Sequence, residues 1–533
     1  MRIRLMALLL VPLIVACESV DSRGGTQTIT LNTAPQITAV PDQKMGTLGL
    51  IGPVSLVLSD TETSSEDLDV SASSSNTDVI PNSGISITES NGVWTAQIQQ
   101  SRIDANHFGT LGDTDITVTV SDGQLAGSTT FKVTVLPRIN QYVAMGTHNS
   151  YHEESPNATL VADWNYSHDD LDKQLLQHRV RSFELDIHWS PSQYMQVYHV
   201  SGLDDVTMCD RFGADPLQQG GGCLEMIKAG LDANPNSLPA MVMIEPKDVL
   251  PQDPQEGSIN GHWRDFDDDI RAVFPEPAEG EEDQLITPAQ ILGTCDTLAE
   301  AVRFDTTCGG WPHIDEARGK LLIFIMASSD CTRHGRDYRG VSYEVEGDDI
   351  DNDFTEECYP DVEPNPIANW LAFIENETGP NAAISRCDSP TGGCFGLANL
   401  AEAAKTGVLI RTRSDTPPSN NAEQCATGGP QNCTDYTPVC DFDYAPEIEG
   451  YRTRLAAALA SGGHMISTEH PAANYPDDEA DECGSNDSYK DWLAYFATVD
   501  GKGTAVAGDP SALCNPANAP VGCADSMFAD QAP

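Results

Sequence analysis

Basic residues are scarce in this chain: 29 Lys and Arg stand against 81 Asp and Glu over 533 residues, a formal net charge of −52. That balance excludes a nucleic-acid binder, whose phosphate contacts need the opposite sign. It also repels anionic membranes, so an anionic lipid has to be met by cations or metal at the point of contact. Most of the carboxylates are then a solvated acidic surface. Long apolar runs are lacking as well. The run Leu5 to Ala16 behind Arg2 and Arg4 falls short of the roughly 20 residues that span a bilayer, and has the charged start and apolar middle of an export signal. Paired CxxC units are absent, which argues against a zinc site. No Gly-x-Ser-x-Gly elbow is present, so neither Thr147 nor Ser150 reads as a serine-type nucleophile. No cysteine lies between Cys17 and Cys209.

What is there begins with Leu13-Ile14-Val15-Ala16-Cys17, which resembles a bacterial lipobox. The resemblance implies a signal peptide over 1–16, a lipid on the Cys17 thiol, and a protein anchored to the bacterial cell envelope, facing the periplasm or the outside. Setting Cys17 aside leaves 14 of the 15 cysteines, an even number that suits disulfides in an oxidising compartment. Cys209 with Cys223, Cys295 with Cys308 and Cys514 with Cys523 are close enough to close short loops. Residues 17–33 are rich in Ser, Thr and Gly and read as a flexible tether.

A chain of this length exceeds one ordinary core, and two domains are expected. Over 34–137 short β-rich runs alternate with turn residues: Val54 to Leu58, Leu68 to Ser71, Ile85 to Ile87, Trp94 to Ile98, Ile116 to Val120 and Phe131 to Val135. This predicts a small all-β sandwich, and it resembles the immunoglobulin-like or cadherin-like modules of bacterial surface enzymes. Over 138–533 apolar runs alternate with amphipathic stretches. Strands are expected at Tyr142 to Met145, Phe183 to Ile187, Gln196 to His199, Met241 to Ile244, Leu321 to Ile325, Val408 to Ile410 and His464 to Ile466. Helices are expected at Asp170 to His178, Leu224 to Leu231, Phe266 to Val273, Ile367 to Ile374 and Tyr451 to Ala460. The pattern predicts an α/β fold, a TIM-like (β/α) barrel with long loops at 337–365 and 414–446 over one rim. Gly220 to Gly222 reads as a loop.

Barrel chemistry sits at the carboxyl ends of strands. There the sequence offers His148-Asn149, Glu184 with Asp186, His199 and Glu245. Glu184 and Asp186, two apart on a strand, share a face, and in a dry interior they need a cation. Oxygen donors from Asn149, Glu184, Asp186 and Glu245 suit a hard metal, calcium or magnesium, and leave His148 and His199 for acid and base work. Lys247, Arg411 and Arg413 are candidates to meet substrate phosphate. His152, His188 and His470 are discounted as neighbours of the site.

The segments GTHNSY, FELDIHW, VYH and VMIEPKD resemble, in order and residue type, the catalytic half of calcium-dependent phosphoinositide-specific phospholipases C. The resemblance implies a Ca2+ cofactor held by Asn149, Glu184, Asp186 and Glu245, with His148 and His199 as catalytic histidines and Glu184 or Glu245 as the base. It implies an inositol lipid in a membrane as substrate, cleaved to diacylglycerol and a cyclic inositol phosphate by attack of the inositol 2-hydroxyl. A monomer is expected. Glycerophosphodiester phosphodiesterases are the nearest enzymatic rival, but there the first His is usually followed by Arg-Gly, not by Asn. A non-catalytic surface-binding protein is the rival from another class, and loss of a histidine, its natural signature, is not seen.

Overall fold

A computed structural model of the chain describes residues 31–153, 167–202, 205–217, 221–247, 259, 262–327, 338, 367–375, 379–388, 400–414, 457–468 and 511–530. The signal segment, Cys17, the tether up to residue 30, most of the two long loops and His470 lie outside them. Among the described residues, no helix is long and apolar enough to cross a membrane.

The N-terminal strands form two facing sheets. One contains Gln43–Gly46, Ala126–Leu136, Gly112–Ser121 and Asp69–Ser74, and the other Leu50–Leu56, Val93–Gln99 and Ile85–Ser90. Alternate residues such as Ile116, Val118, Phe131, Val133, Ala96 and Ile98 fill the space between them, as the period of two requires. The strand Leu50–Leu56 begins earlier than its apolar run predicts. Pro53 sits inside it, where the pairing slips between Ile51 and Val54 on a sheet edge, a place that tolerates a residue without an N–H.

Eight parallel strands follow in chain order around a nearly closed barrel: Tyr142–Thr147, Ser182–Trp189, Ala240–Pro246, Leu321–Ile325, Phe373–Ile374, Ile384–Cys387, Leu409–Arg413 and Met465–Thr468. This is the expected TIM-like architecture. Residues facing outward, among them Phe183, Leu185, Val242, Ile244 and Ile323, pack against the helices Leu171–Leu176, Cys223–Ala233 and Trp263–Val273. Inward residues of the lower half, including Tyr142, Ala144, Met241, Met243, Leu322, Phe324, Phe373, Leu409 and Met465, form an apolar plug.

Three strand assignments differ from expectation. The segment at Gln196 to His199 is no barrel strand: Met195–Val197 runs antiparallel to the end of the second barrel strand as a hairpin return. Residues 367–374 do not form a helix. Only Ile367–Asn369 makes a 3-10 turn, and the N–H groups of Leu371 and Ala372 donate to the buried Tyr338 hydroxyl at 3.1 and 3.0 Å before the short strand Phe373–Ile374 begins. Ile384–Cys387, too short an apolar run to stand out, is the sixth strand. Between the fifth and sixth strands Glu375 bridges with side-chain oxygens, accepting from Ala327 N at 3.0 Å and Arg386 N at 3.2 Å.

Near the start of the barrel, Ala512–Cys514 pairs antiparallel with Tyr142–Ala144 on the side facing the second strand, which meets the first only at Gly146 and Ser182. The disulfides Cys209–Cys223, Cys295–Cys308 and Cys514–Cys523 are all formed. The sandwich rests on the amino-terminal face of the barrel. Lys44 pairs with Asp315 at 2.7 Å, the Thr47 hydroxyl donates to Gln141 Oε1 at 2.6 Å, and Phe108 meets Phe304 edge to face. Cys523 touches the cores of both.

Candidate active site

The same alternation that buries methionine and phenylalanine in the lower barrel turns polar residues inward above them. On the second strand Glu184, Asp186 and His188 share the inward face, and on the third Glu245 stands in register beside Asp186. One carboxylate oxygen from each of Glu184, Asp186 and Glu245 lies within 4.8 Å of the others. Glu184 and Asp186 are fully enclosed, and Glu245 opens towards the mouth with 23% of its side chain exposed.

Three carboxylates this close repel one another in a medium of low polarity. Asp186 shows the consequence: burial first, then the charges of Glu245 and Glu184, push its carboxyl up to about 7 despite the opposing pull of Lys247. Neither Asp186 oxygen accepts a well-aligned hydrogen bond, and the Lys247 ammonium lies 3.0 Å away. Burial works against the Lys247 charge, but Asp186 and Glu245 outweigh it and hold the ammonium above its usual range. A buried, all-oxygen donor set of this kind, with both Asp186 oxygens short of a hydrogen bond, fits a hard divalent cation.

Around the carboxylates stand residues of the first, sixth, seventh and eighth strands. Arg411 is buried: its Nε donates to Ser467 Oγ at 3.0 Å, Nη1 to Asp388 Oδ1 at 2.7 Å, and Nη2 to Glu184 Oε2. Its N–H groups are thus committed inside the barrel, and Arg413 is the one nearer the mouth. His148 Nε2 lies 3.4 Å from Glu184 Oε1 and 3.1 Å from Arg413 Nη1. A neutral Nε2 can accept from Arg413, and a protonated one can donate to Glu184. Asn149 follows with a left-handed φ of 45°, a backbone state that a non-glycine residue holds only where its surroundings impose it. Ser150 fixes the turn, its Oγ accepting from Glu184 N at 2.8 Å and its N–H donating to Glu184 O at 3.1 Å.

His199 is carried by the hairpin return rather than by a barrel strand. Tyr198, just before it, donates its N–H to Asp186 O at 3.3 Å and stacks on His188 at 3.8 Å. His188 is itself a clamp: its Nε2 lies 2.9 Å from Tyr198 O, and burial lowers its pKa to about 4. His199 is half-buried, and its charge acts on Asp186.

Two polar residues at the mouth were not singled out from the sequence. Arg386 reaches Asp388 at 2.9 Å and Glu375 at 3.7 Å, and its charge acts on Glu184 and Glu245. The signal was Ala382-Ala383-Ile384 running straight into Arg386 and Asp388, a short strand ending in alternating charges.

Known proteins resemble this chain in two regions. The sequence model of the family described as "Phosphoinositide phospholipase C, Ca2+-dependent" matches residues 137–196 and 190–430. No curated protein sequence matches. Among solved structures, the calcium-dependent phosphatidylinositol-specific phospholipase C of Streptomyces antibioticus is 17% identical, covering 62% of this chain and 94% of its own, with a TM-score of 0.35. A calcium-dependent phosphoinositol-specific phospholipase C from a Pseudomonas sp. is 13% identical over 62% of this chain and 90% of its own, with a TM-score of 0.30. The titin M4 domain is 18% identical over 20% of this chain and 99% of its own, with a TM-score of 0.15. Since the family model spans more than half of its residues, the chain belongs to the calcium-dependent phosphoinositide phospholipase C family.

Proposed function

We propose that this enzyme cleaves phosphatidylinositol-type lipids into diacylglycerol and a cyclic inositol phosphate. The observation that carries the reading is the buried carboxylate cluster of Glu184, Asp186 and Glu245, whose Asp186 oxygens accept no hydrogen bond, placed between two histidines of the barrel mouth. Those three residues with Asn149 would hold Ca2+, which when bound supplies positive charge to the phosphate and acidity to a nearby hydroxyl.

The chain's own groups do the proton work. A carboxylate of the cluster takes the proton of the inositol 2-hydroxyl, and Glu245 is the accessible one. The 2-oxygen forms a bond to phosphorus as the bond to the diacylglycerol oxygen breaks, and His199 gives its proton to that departing oxygen. His148, protonated at Nε2, donates to the phosphoryl oxygen that gathers charge, and Arg413 moves from His148 to the same phosphate. Lys247, which now balances Asp186 and Glu245, would be free to meet the substrate phosphate with a divalent ion held there instead. Phosphorus NMR of the products from phosphatidylinositol, with calcium and then with chelator, tests substrate and metal together. A cyclic phosphate signal that needs calcium is expected, and full turnover in excess chelator overturns the metal assignment.

We also propose that the mature chain begins at a lipidated Cys17 and acts as a monomer at the cell envelope, on the strength of the LIVAC sequence. Cys17→Ser is expected to move the protein from the membrane fraction to a soluble or unprocessed form, leaving the turnover of the purified catalytic domain unchanged. A wild type that is fully soluble and starts at another residue sinks the anchor.

A further inference from the structure

On the face of the barrel away from the catalytic mouth, a cleft of about 750 Å3 opens between sandwich and barrel, a size in the range of small-molecule sites. Arg138 lies on its wall, only 6% exposed. Its Nε donates to Thr47 O at 2.9 Å, but neither Nη group makes a hydrogen bond or ion pair among the described residues. Both lysines of the cleft and two of its carboxylates have partners: Lys44 pairs with Asp315 at 2.7 Å, Lys320 with Glu282 at 3.0 Å, and Asp283 with Arg271 at 3.0 Å. Glu316 acts on Arg138 only from beyond ion-pair reach.

A buried cation without a counter-charge is costly, and in a chain of net charge −52 it is the kind of group that a surplus carboxylate should have answered. The seat is also built to fit. A Cβ on Gly310 would stand 2.2 Å from Arg138 Nη1, and one on Gly46 would stand 2.9 Å from its Cγ. Burial lowers the guanidinium pKa to about 10, which still leaves it charged at neutral pH.

We propose that this cleft binds a singly charged, hydroxyl-rich carboxylate, an acidic sugar, with the carboxylate on the two Nη groups of Arg138. Two parallel N–H donors match a carboxylate in plane. Glu281, Glu282, Asp283 and Glu316 line the same cleft. They oppose a multiply charged phosphate and offer acceptors to sugar hydroxyls, while Leu50 and Pro312 give it an apolar wall.

Calorimetry of galacturonate, galactose and inorganic phosphate binding to the calcium-free full chain at low salt tests this. Saturable binding of galacturonate, with galactose and phosphate far weaker, is expected. Arg138→Met is expected to cut the galacturonate affinity at least about tenfold. Because Arg138 also holds Thr47, a second variant guards against misfolding: Glu281→Lys, at an exposed rim position, is expected to tighten galacturonate several-fold without affecting cleavage of phosphatidylinositol. Galacturonate binding no better than galactose, or equally well with and without the Arg138 guanidinium, overturns the proposal, as does an affinity that Glu281→Lys leaves unchanged.

Discussion

His199→Ala is expected to lower turnover of phosphatidylinositol by about 10²–10⁴-fold, the worth of the positioned acid proposed for it, while costing far less on an analogue that releases a nitrophenol. A nitrophenolate, whose conjugate acid has a pKa of about 7, leaves with little help, whereas an alkoxide near about 15 needs a proton. His148→Ala behaves differently and lowers both rates, since the phosphoryl oxygens gather charge whichever group departs. The structure gives the two histidines separate supports, one facing Glu184 and Arg413 and the other held on the hairpin by Tyr198 and His188. Steady-state rates of the two variants on both substrates check this, and equal losses throughout would refute the division of roles.

Asp186→Asn is expected to remove calcium-dependent activity at ordinary calcium levels, and at the same time to stabilise the calcium-free protein at neutral pH. The sign follows from linkage. Burial and the neighbouring carboxylates push the folded Asp186 carboxyl up to about 7, against 3.8 for a free side chain, so between these values the folded state holds a proton that the unfolded chain gives up. Stability from this group therefore falls as pH rises from about 4 to about 7. Asparagine carries no such charge and is spared the loss. Melting temperatures of calcium-free wild type and variant are expected to diverge on going from pH 4.5 to pH 7.5, with the variant higher. Added calcium is expected to raise the wild type well above the variant. A variant that melts below calcium-free wild type at pH 7.5 would contradict the strain assigned to this cluster.

The cluster itself was legible because its residues follow long apolar strands, and a two-residue spacing on a strand dictates a shared face whatever surrounds it. Glu184 and Asp186 share a face on that basis alone, and Glu245 joins them through the register that sets it beside Asp186. Strands five and six escaped notice for the opposite reason. Phe373–Ile374 is two residues long, and its shape depends on Tyr338 capping the N–H groups before it. That contact spans distant parts of the sequence and leaves no local trace. Arg411 illustrates another limit. Its position at a strand end was plain, but its commitment to Glu184, Asp388 and Ser467 depends on which neighbours the closing sheet supplies. The reading of Gln196 to His199 as a barrel strand erred because an antiparallel return has the same apolar alternation as a parallel strand.

The strand Ala512–Cys514, lodged against Tyr142–Ala144, sets an order of events for a newly made chain. The sandwich draws all its strands from one early stretch and can fold once that stretch has emerged, since every strand pairing within its two sheets lies inside it. The strand that carries His148 has no such independence: its neighbours on either side are Met465–Thr468 and Ala512–Cys514. Arg181, just ahead of the second strand, is likewise held by Asp530. Lipid-cleaving competence thus arrives only when nearly the whole polypeptide has been delivered, and a ribosome that stops short of residue 512 releases a folded sandwich attached to an open, inactive barrel.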